Sequence, residues 1–449
     1  MKHFFYYNFK ILYRINQFGR RFTPAGRLVS ACTVASAVLG LNTNLSMTYQ
    51  IFTFLLMTLA ASFLQSCFFN IRFSAKRRVP RFATVSEPFV YEVMIENLSG
   101  QLQKGLWLME DFGDLRPEFE IFRDFTEPGE EQRNPWDRLM GYYGWEWLIA
   151  RKRIVSIAPV MMPDIPAGGS ATIRITASPE YRGVISFDRL ILARPDPLGL
   201  FFAYAAISLP QTIAVLPRRH ILPDIDLPGR RMYHPGGMTL SSSVGDSTEF
   251  ISMRDYRPGD PMQKIHWRSW AKIGKPVVKE YQAEFFVRHA LILDTFQNER
   301  YSQTFEDAVS LAASLACTIQ TQETLLELMF VDSRFYSFTS GRGLGHPDRV
   351  LEILASVSPT RHLPFSILEE SVLTRSGSLS GCICIFLTWD NERKALMARL
   401  QAMGVPVWVI IVTPPDTDIL FKNDDDSTLI SPEYVFRFNA GKLYPAVQT

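Results

Sequence analysis

The sequence predicts a multi-domain, membrane-anchored chain: an N-terminal two-helix transmembrane hairpin, an immunoglobulin-like β-sandwich, and a C-terminal doubly wound α/β domain. Three observations carry that reading. Residues 28–71 contain no charged side chain, a run of 44. From about Ala83 to Pro217 the chain is built of short, alternating, β-prone segments divided by turn residues. From Ala290 onward, β-branched apolar runs alternate with stretches of helical spacing. A length of 449 residues accommodates two soluble domains plus an anchor, and 47% hydrophobic residues supply their cores.

The formal charge of +2 hides a strong asymmetry. Residues 1–81 hold eleven Lys and Arg and no acid, leaving 36 bases against 45 acids in residues 82–449, a net of −9. An acidic soluble part argues against nucleic acid as a ligand. The five cysteines fit neither a disulfide framework nor a zinc site. Cys382 and Cys384 lie two apart in a strand-like run with no His nearby, as reduced thiols would.

The uncharged run is too long for one span of about 20 residues. It breaks at Leu41-Asn42-Thr43-Asn44, predicting helices near 28–41 and 49–71 within an anchor segment 1–81. Arg20, Arg21 and Arg27 precede the first helix; Arg72, Lys76, Arg77, Arg78 and Arg81 follow the second. Basic flanks at both outer ends place the two termini in the cytoplasm, with a short turn outside. Phe4, Tyr6, Tyr7, Phe9 and Tyr13, mixed with Lys10 and Arg14, suit the inner membrane surface.

The β-sandwich is assigned to 82–218, with strands at Phe89–Asn97, 171–177, 184–193 and 203–215. Residues 112–160 read as an insertion crowded with Trp136, Tyr142, Tyr143, Trp145 and Trp147. These aromatics either pack under a long loop or form a patch for a partner or membrane.

Residues 219–247 form a Pro-, Gly- and Ser-rich linker, and 248–449 the α/β domain with a dense motif at its start. That motif comprises Glu249, Phe250, Arg254, Asp255, Tyr256, Arg257, Pro258, Gly259, Asp260, Ile265, His266, Trp267, Arg268, Lys279 and Glu280. Pro258-Gly259 suits the centre of a type II turn. After it, a strand-like alternation points Ile265 and Trp267 one way and Lys264, His266 and Arg268 the other. The interleaved charges suit an ion-pair network, and Arg with Trp also suits a recognition surface. No Ser or Cys nucleophile is recognisably paired with His266. Beyond it, strands at 290–294, 325–331, 381–387 and 405–412 alternate with helices at 305–320, 348–356 and 391–403.

These residues, with Ala271, Tyr181-Arg182-Gly183 and Asp196-Pro197-Leu198-Gly199-Leu200-Phe201, resemble the bacterial domain-of-unknown-function family fifty-eight. The resemblance implies a von Willebrand A-like domain after the motif. It also implies a membrane-bound adaptor or assembly factor accompanying a MoxR-type AAA+ ATPase, with no enzymatic activity. Von Willebrand A domains often hold a divalent cation through Asp-x-Ser-x-Ser, where this chain has Asp294-Thr295-Phe296-Gln297-Asn298. Asp294 and Asn298, with Thr388 or Asp390 from a later strand end, make a thin oxygen set for Mg²⁺, so the expectation is no cofactor.

Phosphate-loop, zincin and nucleophile-elbow motifs are absent from the sequence, so any ATP hydrolysis belongs to a partner. The leading expectation is therefore a non-enzymatic adaptor. A metal-dependent protein-binding module and a hydrolase using His266 are the alternatives.

Overall fold

The computed structural model describes residues 2–39, 46–69, 71–127, 129–222, 250–260, 262–281, 287–319, 324–341, 347–413, 435–439 and 441–445. The chain divides into two units, residues 1–219 with 351–358 and residues 220–350 with 359–449. The predicted turn at 41–44 and nearly all of the linker lie outside the described residues.

The first unit opens with three helices, α1 (Lys2–Gly19), α2 (Pro24–Leu39) and α3 (Ser46–Cys67). Within α3, Met47–Cys67 is long and apolar enough to cross a membrane, with mean hydropathy 1.5; α2 is a shorter apolar helix. The first apolar helix starts four residues before its predicted position for a local reason. Thr23 Oγ1 accepts from the Gly26 amide at 3.0 Å, and Pro24 takes the first helical position, where a missing N–H is harmless.

Nine strands follow: β1 (Phe73–Arg78), β2 (Phe82–Thr84), β3 (Phe89–Asn97), β4 (Trp107–Asp111), β5 (Val155–Ile157), β6 (Val160–Met161), β7 (Ser170–Pro179), β8 (Gly183–Pro195) and β9 (Phe202–Leu216). They form one sheet of order β1-β3-β7-β5 and another of order β2-β9-β8-β4-β6. Alternation along β3 buries Tyr91, Val93, Ile95 and Asn97. Tyr91, Val93 and Ile95 join Ile173 and Ile175 from the first sheet and Leu108, Phe187, Leu190 and Val215 from the second in one core. Inside it Arg77 pairs with Glu110 at 2.5 Å, both side chains almost wholly buried. Tyr91 donates to Glu110 at 2.9 Å, Arg77 donates to the Leu209 carbonyl at 2.8 Å, and its guanidinium lies 4.4 Å from the Phe187 ring centroid. Burial raises the Glu110 carboxyl above its ordinary range, and Arg77 pulls it back. A buried pair this fully hydrogen-bonded meets the condition for tolerating charge in a core.

The β8–β9 loop seats on the apolar helices. Asp196 gathers the amides of Leu200 and Phe201 at 2.7 Å each and that of Leu198 at 3.1 Å. Ser62, on α3, donates to the same carboxylate at 2.5 Å. Thr23 donates to the Gly199 carbonyl at 2.5 Å. Gly26 lies so close to the Leu200 carbonyl that any Cβ there would overlap it.

The aromatic insertion contains α4 (Phe119–Asp124), α5 (Pro135–Met140) and α6 (Tyr142–Lys152). They pack on α1. Tyr6 meets Phe119 and Trp145 at ring distances of 5.3 and 5.4 Å, and Phe9 meets Phe122 and Tyr142 at 6.1 and 5.5 Å. Phe122 and Trp145 are buried there, while Trp136 stays 70% exposed.

The second unit begins with the antiparallel pair β10 (Phe250–Asp255) and β11 (Val277–Tyr281), with α7 (Trp267–Ile273) between them in sequence. Then follow β12 (Val287–Leu293), α8 (Gln303–Thr318), β13 (Thr324–Val331), β14 (Phe335–Ser340), α9 (Pro347–Ser356), α10 (Ser366–Arg375), β15 (Gly381–Phe386), α11 (Asn391–Ala402), β16 (Val407–Val412), β17 (Val435–Asn439) and β18 (Lys442–Pro445). The sheet order is β14-β13-β12-β15-β16-β17-β18. Its five inner strands run parallel and both edges are antiparallel. Every residue of β15 and β16 is buried, the signature of strands covered on both faces. Burial pushes the Cys382 thiol up to about 12, with Glu327 adding to it.

Candidate functional site

Two places in the second unit carry the predicted site residues. The first is the motif. Glu249 lies outside the described residues, and Phe250 and Glu280 are described only as strand positions. In the β10–β11 ladder Met253 faces Lys279, Arg254 faces Val278, and Asp255 faces Val277. Tyr256 donates its amide to the Pro276 carbonyl at 3.0 Å, and Asp260 donates back to Arg257 at 3.0 Å. Gly259 sits at φ +108°, which the turn requires and other residues rarely adopt. Asp260 organises this turn. Arg254 grips its carboxylate with two bonds of 2.7 Å, and the Arg257 amide adds a third at 2.8 Å. The Arg254 hydrogen bond, ahead of the Arg257 amide, holds the Asp260 carboxyl down at about 2.

Residues 267–273 are helical, which overturns the strand-like alternation. Ile265 is buried and bridges Val278. The His266 amide donates to Val277 at 2.9 Å, and its carbonyl accepts from Ser269 and Trp270 at 3.0 Å each. Trp267 and Trp270, three apart on one helical face, stack at 5.3 Å. Trp267 is 60% exposed, and Arg257, Met262 and Arg268 are exposed as well. The turn's acid is internally satisfied, while Trp, Met and Arg side chains of the motif stay exposed.

His266 does meet a hydroxyl that the sequence reading did not pair with it: Nδ1 lies 2.6 Å from Ser269 Oγ. Ser269 Oγ also lies 3.3 Å from Met253 Sδ. Which of Nδ1 and Oγ carries the shared proton is set by the histidine tautomer.

The second place is the carboxyl end of β12, where the chain first builds β13 and β14 on one side and then crosses to β15 on the other. Asp294 is fully buried there. Its carboxylate accepts from the Phe296 amide at 3.0 Å, the Leu387 amide at 3.3 Å, and Arg393 Nε and Nη2 at 3.1 and 3.2 Å. Arg393 comes from the first turn of α11 and also binds Asp390 at 2.6 Å. Asp390 caps that helix through the Arg393 amide and accepts from Thr388 at 3.3 Å. The Arg393 guanidinium lies 4.3 Å from the Phe365 ring centroid. Asp294 and Asp390 thus meet on the Arg393 guanidinium, and Thr388 reaches it only through Asp390. Asn298 is exposed on the loop beyond. Burial raises the Asp294 carboxyl and Arg393 lowers it in part. Among the described residues no cluster of three or more His, Cys, Asp or Glu is arranged to hold a metal.

Residues 252–409 match the family model described as protein of unknown function DUF58. No curated protein matches the chain. Among solved structures, the CARDB domain of a Pyrococcus furiosus protein is 10% identical, with 32% of this chain and 93% of that one covered at a TM-score of 0.15. The GH20 exo-β-N-acetylglucosaminidase of Vibrio harveyi, in complex with N-acetylglucosamine, is 8% identical, with 76% of this chain and 57% of that one covered at a TM-score of 0.17. Superpositions this poor carry no argument about fold or activity.

Proposed function

We propose that this chain, whose residues 252–409 match the model of the DUF58 family of proteins of unknown function, is a non-enzymatic, membrane-anchored adaptor. In this reading α2 and α3 form a transmembrane hairpin with both ends in the cytoplasm. The two-sheet region is an immunoglobulin-like sandwich, and the seven-stranded sheet a von Willebrand A-like domain. The partner is a MoxR-type AAA+ ATPase, which supplies the ATP hydrolysis for which this chain has no motif.

The observation that carries the reading is the motif surface. Arg254 and Asp260 satisfy each other, while Trp267, Arg257 and Arg268 remain exposed. Trp and Arg are the commonest anchors of protein interfaces. The Asp294 site supports a metal-independent mode, since two guanidinium nitrogens already neutralise its carboxylate. The test is a photo-crosslink from position 267 in the intact chain in membranes. An AAA+ ATPase subunit in the adduct, lost in Arg268→Ala and Trp270→Ala, supports the proposal; adducts from position 267 that contain no such ATPase sink it.

A further inference from the structure

α1 has two apolar faces, and only one is covered within its unit. Tyr6 and Phe9 point into the insertion, where Phe119, Phe122, Tyr142 and Trp145 surround them. Tyr6 also donates to the Pro117 carbonyl at 3.1 Å, and Lys2 donates to that of Arg123 at 2.9 Å. Phe4, Tyr7, Ile11, Ile15 and Phe18 recur at spacings of three and four, so they form a single stripe along the helix. All five are between 42 and 68% exposed. A water-facing helix does not ordinarily display five large apolar side chains in a row.

Two features identify what covers the stripe. Its C-terminal member touches α3: the Phe18 ring lies 5.9 Å from Phe63, on the helix apolar enough to cross a membrane. One end of the stripe is therefore fixed against the helix that is apolar enough to cross a membrane. The charges that α1 itself brings beside the stripe have one sign. Lys10 and Arg14 lie on α1, Arg20 and Arg21 follow it, and residues 1–81 contain no acid. An apolar stripe flanked by cations suits the headgroup layer of an anionic leaflet.

We infer that α1 lies in the anionic headgroup layer of the membrane that α3 crosses, with its Phe4–Tyr7–Ile11–Ile15–Phe18 stripe against the acyl chains. The aromatic insertion is then the bracket that grips its other face. This rests on the proposed membrane hairpin. It narrows the earlier membrane-surface assignment of five aromatics, because Tyr6 and Phe9 belong to the bracket and not to lipid.

The experiment uses the full chain in nanodiscs of phosphatidylcholine, alone or mixed with phosphatidylglycerol. A benzophenone-bearing phenylalanine is placed at position 11, at position 9, or at position 55 within α3. The expected result is lipid adducts at 55 in both membranes and at 11 mainly with phosphatidylglycerol, with at least a tenfold lower yield at 9. Each basic residue near an anionic surface is worth roughly fivefold in binding. Lys10→Glu with Arg14→Glu should therefore abolish the lipid preference at 11 and leave 55 untouched. Adducts at 55 without any at 11 overturn the inference and spare the hairpin. Adducts at neither position overturn the hairpin itself, and adducts from 11 to a second copy of the chain replace the lipid with self-association.

Discussion

Arg393 and Asp294 hold each other in place, and removing one leaves the other as an unpaired buried charge. Losing one partner of such a pair costs about 3–5 kcal/mol, so Arg393→Ala is expected to lower the denaturation midpoint of the second unit steeply. Asp294→Asn combined with Arg393→Met removes both charges and should recover most of that loss. Millimolar Mg²⁺ or Mn²⁺ in the single variant is the sharper measurement. Metal-dependent recovery would mean that the carboxylates accept a cation once the guanidinium leaves; none is expected if Asp294 and Asp390 are too few oxygens for a hard ion. At the motif turn the sign runs the other way. Arg254 holds the Asp260 carboxyl at about 2, below its ordinary 3.8. A depressed carboxyl adds stability that is present above its unfolded value and disappears as pH falls toward the folded one. The carboxyl carbon shift of Asp260 should therefore titrate near 2, move up toward its ordinary value in Arg254→Ala, and mark the loosening of the turn between about pH 4 and pH 2.

At the scale of elements, the join between the apolar helices and the β8–β9 loop is built on close approach. Gly26→Ala puts a methyl group onto the Leu200 carbonyl, backbone against backbone, with no flexible side chain to yield. Ser62→Ala leaves the Asp196 carboxylate without its only partner from α3 among the described bonds, and hydrogen bonds to charged groups are worth about 1.5–3 kcal/mol. Both variants should expose residues 196–201 to protease while the sheets stay folded by circular dichroism; unchanged cleavage would mean that the loop holds its place without the helices. The same join shows where sequence reading stops. The uncharged run, the strand at Phe89–Asn97 and the alternation of helices and strands after Ala290 were legible, because burial on one face or both leaves a period in the sequence. Ser62 and Asp196 are 134 residues apart, and Asp294 and Arg393 are 99 apart. No local period records such a pairing. Arg393 does leave a trace, as a cation in the unfavourable first turn of a helix, where only nearby carboxylates make it welcome. α7 replaces the predicted strand-like alternation because a stretch this short fits a strand or about two helical turns equally well.

At the scale of the whole chain, charge and hydropathy are sorted along the sequence. Eleven bases and no acid occupy residues 1–81, while residues 82–449 carry a net charge of −9. An anionic leaflet attracts the first part and repels the second, so the sorting itself orients the chain about the proposed hairpin. The insertion adds a mechanical element to that orientation. Through Trp145 and Phe122 it grips α1, and through β4 and β5 it is continuous with the two sheets. Truncating Trp145 to Ala removes a buried aromatic, a change that costs about 3–5 kcal/mol, and it should release α1 without changing the hairpin. Reporter fusions separate these levels. A fluorescent protein after Thr449 should glow and alkaline phosphatase at the same place should stay inactive, while phosphatase inserted between α2 and α3 should be active. Trp145→Ala should leave all three readouts as they are, yet raise protease cleavage within residues 2–19. A change in the reporters instead would mean that α1 and its bracket help to set the topology, and that the basic flanks alone are insufficient.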